Sequence, residues 1–297
     1  MKTSEFPPNF FIVGAPKCGT TSLANWLSRH PKVYMSPIKE PHFFNIDLSY
    51  RNVPEKKKYI KLFDKVSTKQ KAIGEASVFY LFSNTAIPSI ESCITSPKYI
   101  VMVRNPVDMA YSLHEQQLVA GNEHIKEFEK AWEESEHRAH GKEVTSWCRE
   151  PRLLAYKEVC KLGGQIARLY DLVPKDRVKI VVLDDLKQSP KKEYEAVIRF
   201  LGVESDGRSE FPVHNTAKRR KSKLLRRVTK AINSVKQSLG LYWLGTGIMD
   251  GLDELNKEYR ERPPLSRRVR KRVADYFKDD VYRLSELLSR DLTHWVE

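Results

Sequence analysis

No stretch of this sequence approaches the ~18–20 consecutive apolar residues that a membrane-spanning helix needs. The N-terminal MKTSEFPPNFFIV has no apolar signal core, because Pro7 and Pro8 interrupt it and the run after them has the character of a strand. A cytoplasmic protein with no membrane partner is the expectation. Cysteine is scarce: Cys18, Cys93, Cys148 and Cys160 form no C-x-x-C and no paired spacing. That excludes a disulfide framework and a zinc site, and it fits a reducing compartment. No internal repeat, low-complexity tract or Gly/Ser linker divides the chain, so one domain over 1–297 is expected, with a helical elaboration over about 218–297. Acidic residues are missing altogether between Glu210 and Asp250, while Lys218–Lys236 holds nine lysines and arginines. With 52 basic and 38 acidic residues the chain carries a net charge of +14, which calls for an anionic partner. A nucleic-acid-binding protein would interleave exposed aromatics with its cations or carry a recognisable motif; neither is present, and nucleic acid is not expected as a partner.

What the chain does contain is alternation. The runs NFFIV (9–13), KAIGEA (71–76), YIVMV (99–103) and VKIVVL (178–183) are short, continuous and rich in β-branched residues, as strands buried on both faces of a parallel sheet are. Longer segments with helical spacing separate them, so the fold class is α/β. In the basic stretch Leu224, Leu225, Val228, Ile232, Val235 and Leu239 recur at helical spacing and predict a docked helix with a cationic outer face. A further helix is expected after Pro263 and Pro264, with Val269, Val273, Phe277, Val281, Leu284 and Leu288 inward.

The loop IVGAPKCGTTSL (12–23) nearly spells a nucleotide-binding motif. Gly14 and Gly19 have the G-x-x-x-x-G spacing, yet Thr20 and Thr21 follow Gly19 where a Walker loop has its lysine. The lysine here is Lys17, inside the loop. The loop joins the carboxyl end of a strand to the start of a helix near Thr20, where backbone N–H groups and the helix dipole favour an anion. A lysine placed there suits a terminal phosphate whose leaving charge needs neutralising, without an obligatory metal. A P-loop kinase or NTPase is the competing class. Its metal-binding strand has only VVLDD (181–185) as a candidate.

A second motif is YIVMVRNPVDMAYSLHEQQ (99–117). Arg104 emerges at a strand's carboxyl tip, Pro106 opens a helix, and Ser112 follows on its first turns. An arginine fork and a serine hydroxyl there could hold one phosphate. PKCGTTSL followed by VRNPVDMAYS resembles the paired signatures of PAPS-dependent sulfotransferases, in the bacterial and heparan-sulfate-type branch. SPIKEPHFFN, GEAS, KIVVLDDLKQSPKKEYEAVIRFLGV and RDLTHW extend the likeness over nearly the whole chain. The resemblance implies a P-loop-like three-layer fold with a central parallel sheet flanked by helices. It implies that the loop Lys17, Cys18, Gly19, Thr20, Thr21 and Ser22 holds the 5′-phosphosulfate of PAPS, with Lys17 stabilising the leaving phosphate, and that PAP is the product. Arg104 and Ser112 would hold the 3′-phosphate. Lys218, Arg219 and Arg220 lie where the family has a basic loop over the cofactor, and the sequence does not choose among them. No metal is required.

A hydroxyl acceptor must lose a proton, and general-base catalysis contributes ~10²–10⁴-fold. Glu40 in KEPHFFN matches the family's glutamate base; His42 is the competing base, with a substrate-contact role as its alternative. Glu75 in GEAS sits at another strand tip, where it could orient the acceptor or Lys17; the lysine that follows this acid in heparan-type relatives is Ala76 here. The acceptor is expected to be a small hydroxylated or amino metabolite of secondary metabolism, with a glycan as the alternative. Trp147, Tyr242 and Trp243 could line its pocket. The acid-rich segment after Ser112 predicts a lid suited to a cationic acceptor. Oligomeric state is not legible.

Overall fold

The computed structural model describes residues 6–146, 148–212 and 263–297, together with the backbone of two short strands. The strands are β1 Phe10–Gly14, β2 Val33–Met35, β3 Ala72–Ala76, β4 Lys98–Val103 and β5 Val178–Val182. They form one parallel sheet in the order β2-β3-β1-β4-β5. Every residue of β1 is buried, and so is all of β4 after Lys98. Continuous apolar runs are what a strand covered on both faces requires.

The helices are α1 Thr20–Ser28, α2 Lys56–Lys61, α3 Ala86–Cys93, α4 Pro106–Ala120, α5 Phe128–Glu133, α6 Ser135–Ala139, α7 Tyr156–Val159, α8 Leu162–Leu172, α9 Leu183–Gln188, α10 Pro190–Leu201 and α11 Arg267–Leu288. α1 buries Leu23, Trp26 and Leu27. It stops before Pro31, where His30 N–H still reaches the Leu27 carbonyl. α4 begins as expected at a proline in its first turn, under an Asn105 cap whose side chain accepts from the N–H groups of Val107 and Asp108. α11 turns Val269, Val273, Phe277, Val281 and Leu284 into the core, with Leu288 partly buried.

The chain divides into two compact units, Met1–His214 with Leu265–Glu297, and Asn215–Pro264. In the second, Lys218–Arg220 pairs antiparallel with Lys257–Tyr259 as β6 and β7. This corrects the helical reading at the start of the 218–297 stretch. The strand's partner is remote in sequence, so local apolar spacing carried no sign of the pairing. The helix expected over 224–239, and Trp147, Tyr242 and Trp243, lie outside the described residues.

Candidate active site

Three loops leave the carboxyl edge of the sheet, after β1, β4 and β2. Because β3 and β4 flank β1, their tips stand about 10 Å apart. The loop after β1 is pinned on both sides: Ala15 N–H donates to the Met102 carbonyl of β4, and Leu81 N–H to the Val13 carbonyl. Lys17, half-buried, takes a left-handed φ of 66°, which costs a non-glycine residue about 1–2 kcal/mol. Strain of this kind concentrates at functional sites. Gly19 follows with φ 89°, and a Cβ there would lie 2.8 Å from Leu183 Cδ1. As N-cap of α1 it brings no side-chain acceptor to the first-turn N–H groups, the arrangement an anion can exploit. Thr20 and Ser22 are buried and Thr21 half-buried in that turn. Cys18 points the other way: its thiol is buried 3.8 Å from Met109 Sδ, and burial pushes its pKa up to about 12.

Arg104, at the tip of β4, donates from Nη1 to the Lys17 carbonyl at 3.2 Å. The two signatures therefore meet. Arg104 Nη2 also lies 4.0 Å from Asp108, which pairs with Arg270 of α11 at 2.9 Å. Ser112 is buried two turns into α4.

The third loop follows β2. Glu40 N–H donates to the Ala76 carbonyl at the end of β3, and Asn52 Nδ2 donates to the Glu40 carbonyl. Glu40 (φ 60°) and His42 (φ 51°) are both left-handed. The Glu40 carboxylate receives Lys39 Nζ at 2.5 Å and lies 3.5 Å from His42 Nε2. Burial pushes the Glu40 pKa up, but the Lys39 ammonium and His42 outweigh it and hold the group at about 2. The Glu40 side chain keeps 20% exposure, whereas His42 has none. The His42 ring sits among Tyr50, Phe79 and Tyr80, and neither ring nitrogen has a hydrogen-bond partner.

Glu75, expected to orient the acceptor or Lys17, is sealed beneath this loop with no exposure. Its carboxylate accepts from the hydroxyls of Ser77 (2.6 Å), Tyr80 (2.8 Å) and Tyr59 (3.1 Å). Burial pushes its pKa up to about 7 against those three donors.

The family model for the sulfotransferase domain matches residues 7–231. The chain belongs to the sulfotransferase family. Among solved structures, a sulfotransferase from Alicyclobacillus acidocaldarius aligns over 98% of this chain and 99% of its own, at 27% identity and a TM-score of 0.74. Membrane-associated sulfotransferase kil1 of Dictyostelium discoideum is 35% identical over 107 residues, covering 35% of this chain and 22% of that protein. Human carbohydrate sulfotransferase 15 is 30% identical over 147 residues, covering 35% of this chain and 26% of the relative. A bovine bifunctional heparan sulfate N-deacetylase/N-sulfotransferase 2 is 25% identical over 212 residues, covering 68% of this chain and 23% of its own. The chain thus spans about a quarter of the length of the curated relatives it matches.

This sulfotransferase gathers Lys17, Gly19, Thr20, Thr21, Ser22, Arg104, Glu40 and His42 along one edge of its sheet. Lys218, Arg219 and Arg220 form β6 of the second unit, and the placement of their side chains lies outside the description. Sequence reasoning missed Ser77, Tyr80, Tyr59 and Asn52. Ser77 stands in GEAS beside Glu75, but Tyr59 and Asn52 reach the site only through folding. The acids after Ser112 are largely neutralised: Glu123 by Arg138, Glu129 by Arg268, Glu133 by Arg272 and Glu136 by Lys157. No helix among the described residues is long and apolar enough to cross a membrane.

Proposed function

We propose that this chain transfers a sulfuryl group from PAPS to a hydroxyl or amine of a small metabolite. The observation that carries the reading is the junction of Arg104 Nη1 with the Lys17 carbonyl, which joins two anion-binding loops at neighbouring strand tips. PAPS supplies an activated sulfuryl group with phosphates at both ends. The residues fit such a molecule: Lys17, Gly19 and the Thr20–Ser22 turn would hold the 5′ end, and Arg104 with Ser112 the 3′-phosphate. Lys218, Arg219 and Arg220 are further candidate cations for PAPS, and 1–297 would act as one functional domain. Lys17 neutralises charge developing on the departing phosphate, a contribution that a pre-positioned cation makes without reorganising. Glu40 takes the acceptor's proton. Its partial exposure favours it over His42, whose sealed ring lies 3.5 Å from the carboxylate. A carboxylate held at about 2 is fully ionised at neutral pH, and displacement of Lys39 by the acceptor would raise its basicity. Free thiols at Cys18, Cys93, Cys148 and Cys160 support a cytoplasmic setting.

The names of the relatives favour a second reading, in which the acceptor is a carbohydrate hydroxyl or amine. Incubation with PAPS and a metabolite extract, or with an oligosaccharide panel, separates the two through PAP release and a product heavier by SO₃. Absence of PAP release with every acceptor, together with no PAP binding, overturns the reading. Arg104→Ala should weaken PAP binding ~10–100-fold, the scale of a lost charge-assisted hydrogen bond.

A further inference from the structure

Two of the three hydroxyls that donate to Glu75 are used twice. Ser77 Oγ donates to Oε2 and accepts the His42 N–H at 3.0 Å. Tyr80 Oη donates to Oε1 and accepts the N–H groups of Phe43 (2.9 Å) and Phe44 (3.2 Å). We propose that Glu75 is a positioning residue, holding the loop that carries Glu40 and His42 onto the sheet through Ser77 and Tyr80. The inference rests on the reading of Glu40 as the base.

The chemistry is directional. A hydroxyl has one proton and can rotate it to whichever acceptor is present. Once ionised, a carboxylate accepts only, so above about pH 7 Glu75 draws the protons of Ser77 and Tyr80 inward and leaves their lone pairs facing the loop. Three consecutive backbone N–H groups, His42 to Phe44, land on those lone pairs. Glu75, Ser77 and Tyr80 have at most a trace of exposure, and a buried acid in an otherwise apolar sheet is unfavourable unless hydrogen-bonded. An aliphatic side chain would suit the strand and could not orient the hydroxyls. The loop also needs outside support, because two of its non-glycine residues are left-handed. Tyr59, from α2, adds a third donor to Glu75 and stacks on Phe43 at 4.4 Å, so the same acid ties a helix to the loop.

The test compares the full-length protein with Tyr80→Phe, Ser77→Ala and Glu75→Gln. Tyr80→Phe removes one oxygen, so it reports even if Glu75→Gln fails to fold. Amide hydrogen exchange over residues 42–44 should accelerate at least ~10-fold in each folded variant, while β1 keeps its protection. The ¹³C resonance of the Glu40 carboxyl should be flat down to about pH 4 in the parent and should begin to move at higher pH in the variants, as the carboxylate drifts from Lys39 and His42. PAP affinity should stay within about twofold, with the loss confined to kcat for PAP release. Parent-like exchange and parent-like Glu40 titration in folded Tyr80→Phe and Ser77→Ala overturn the proposal. The exchange and resonance arms need no nucleotide. A parent protein that fails to bind PAP therefore sinks the sulfotransferase reading separately.

Discussion

Glu40 and His42 are neighbours in one loop, and accessibility separates their roles: the carboxylate keeps a path to solvent and the imidazole has none. Glu40→Gln should lower kcat by at least ~100-fold and leave PAP binding within about twofold, since it removes proton acceptance and little else. Steady-state PAP release and calorimetric PAP titration check the two halves. The lowered pKa carries a sign. Ionised Glu40 stabilises the fold fully above its ordinary value of 4.5, and that contribution is lost as pH falls toward about 2. Glu75 runs the opposite way, raised from 4.5 to about 7. Its contribution is present below pH 4.5 and is lost as pH rises through about 7. The stability difference between the parent and Glu75→Gln should therefore move against the parent across that window, by of order 1–3 kcal/mol. Urea unfolding at several pH values reads it; a difference constant in pH would contradict the assignment. Gly19→Ala should cost about 1–2 kcal/mol from its positive φ alone, measurable as a lower Tm.

At the scale of elements, the site depends on how strands end and helices begin. β1, β4 and the starts of α1 and α4 were legible because each rests on local chemistry: a continuous apolar run, a glycine turn, an Asn-Pro cap. The exit loop of β2 could be placed on GEAS only once β2 and β3 were paired. α11 shows the complementary case. Its inward face follows from spacing, but its docking on α8 depends on two glycines. The N–H groups of Gly163 and Gly164 donate to Asp280 of α11 at 2.8 Å each, and a Cβ on Gly163 would lie 2.2 Å from the Asp280 carbonyl oxygen. Gly163→Ala should destabilise by about 2–3 kcal/mol through overpacking, seen as a lower Tm, while PAP affinity of the folded fraction stays near the parent value.

For the whole molecule, ligand linkage offers the most direct check on the fold as a PAP-binding scaffold. At about 100 times its Kd, PAP should add ~2.7 kcal/mol of stability and raise Tm by several degrees. Arg104→Ala should remove roughly half to five-sixths of that shift at the same PAP concentration. The excess of positive charge belongs to the same scale: +14 overall, with an acid-free run from 211 to 249. The affinity for PAP should accordingly fall as salt is raised, since an anionic ligand is being held by cations.

The sequence by itself determined the α/β class, the parallel sheet, the positions of the Lys17 and Arg104 loops at strand ends, and the family. Each of these is written in short contiguous runs whose physics is local. Tertiary structure alone decided that Arg104 braces the Lys17 carbonyl, that His42 lies against the Glu40 carboxylate, and that Glu75 is sealed beneath their loop. It also paired the acids after Ser112 with Arg138, Arg268, Arg272 and Lys157, and made Lys218–Arg220 a strand. Those outcomes turn on which distant residues arrive at the same place, and burial and hydrogen-bond direction are set only when they do.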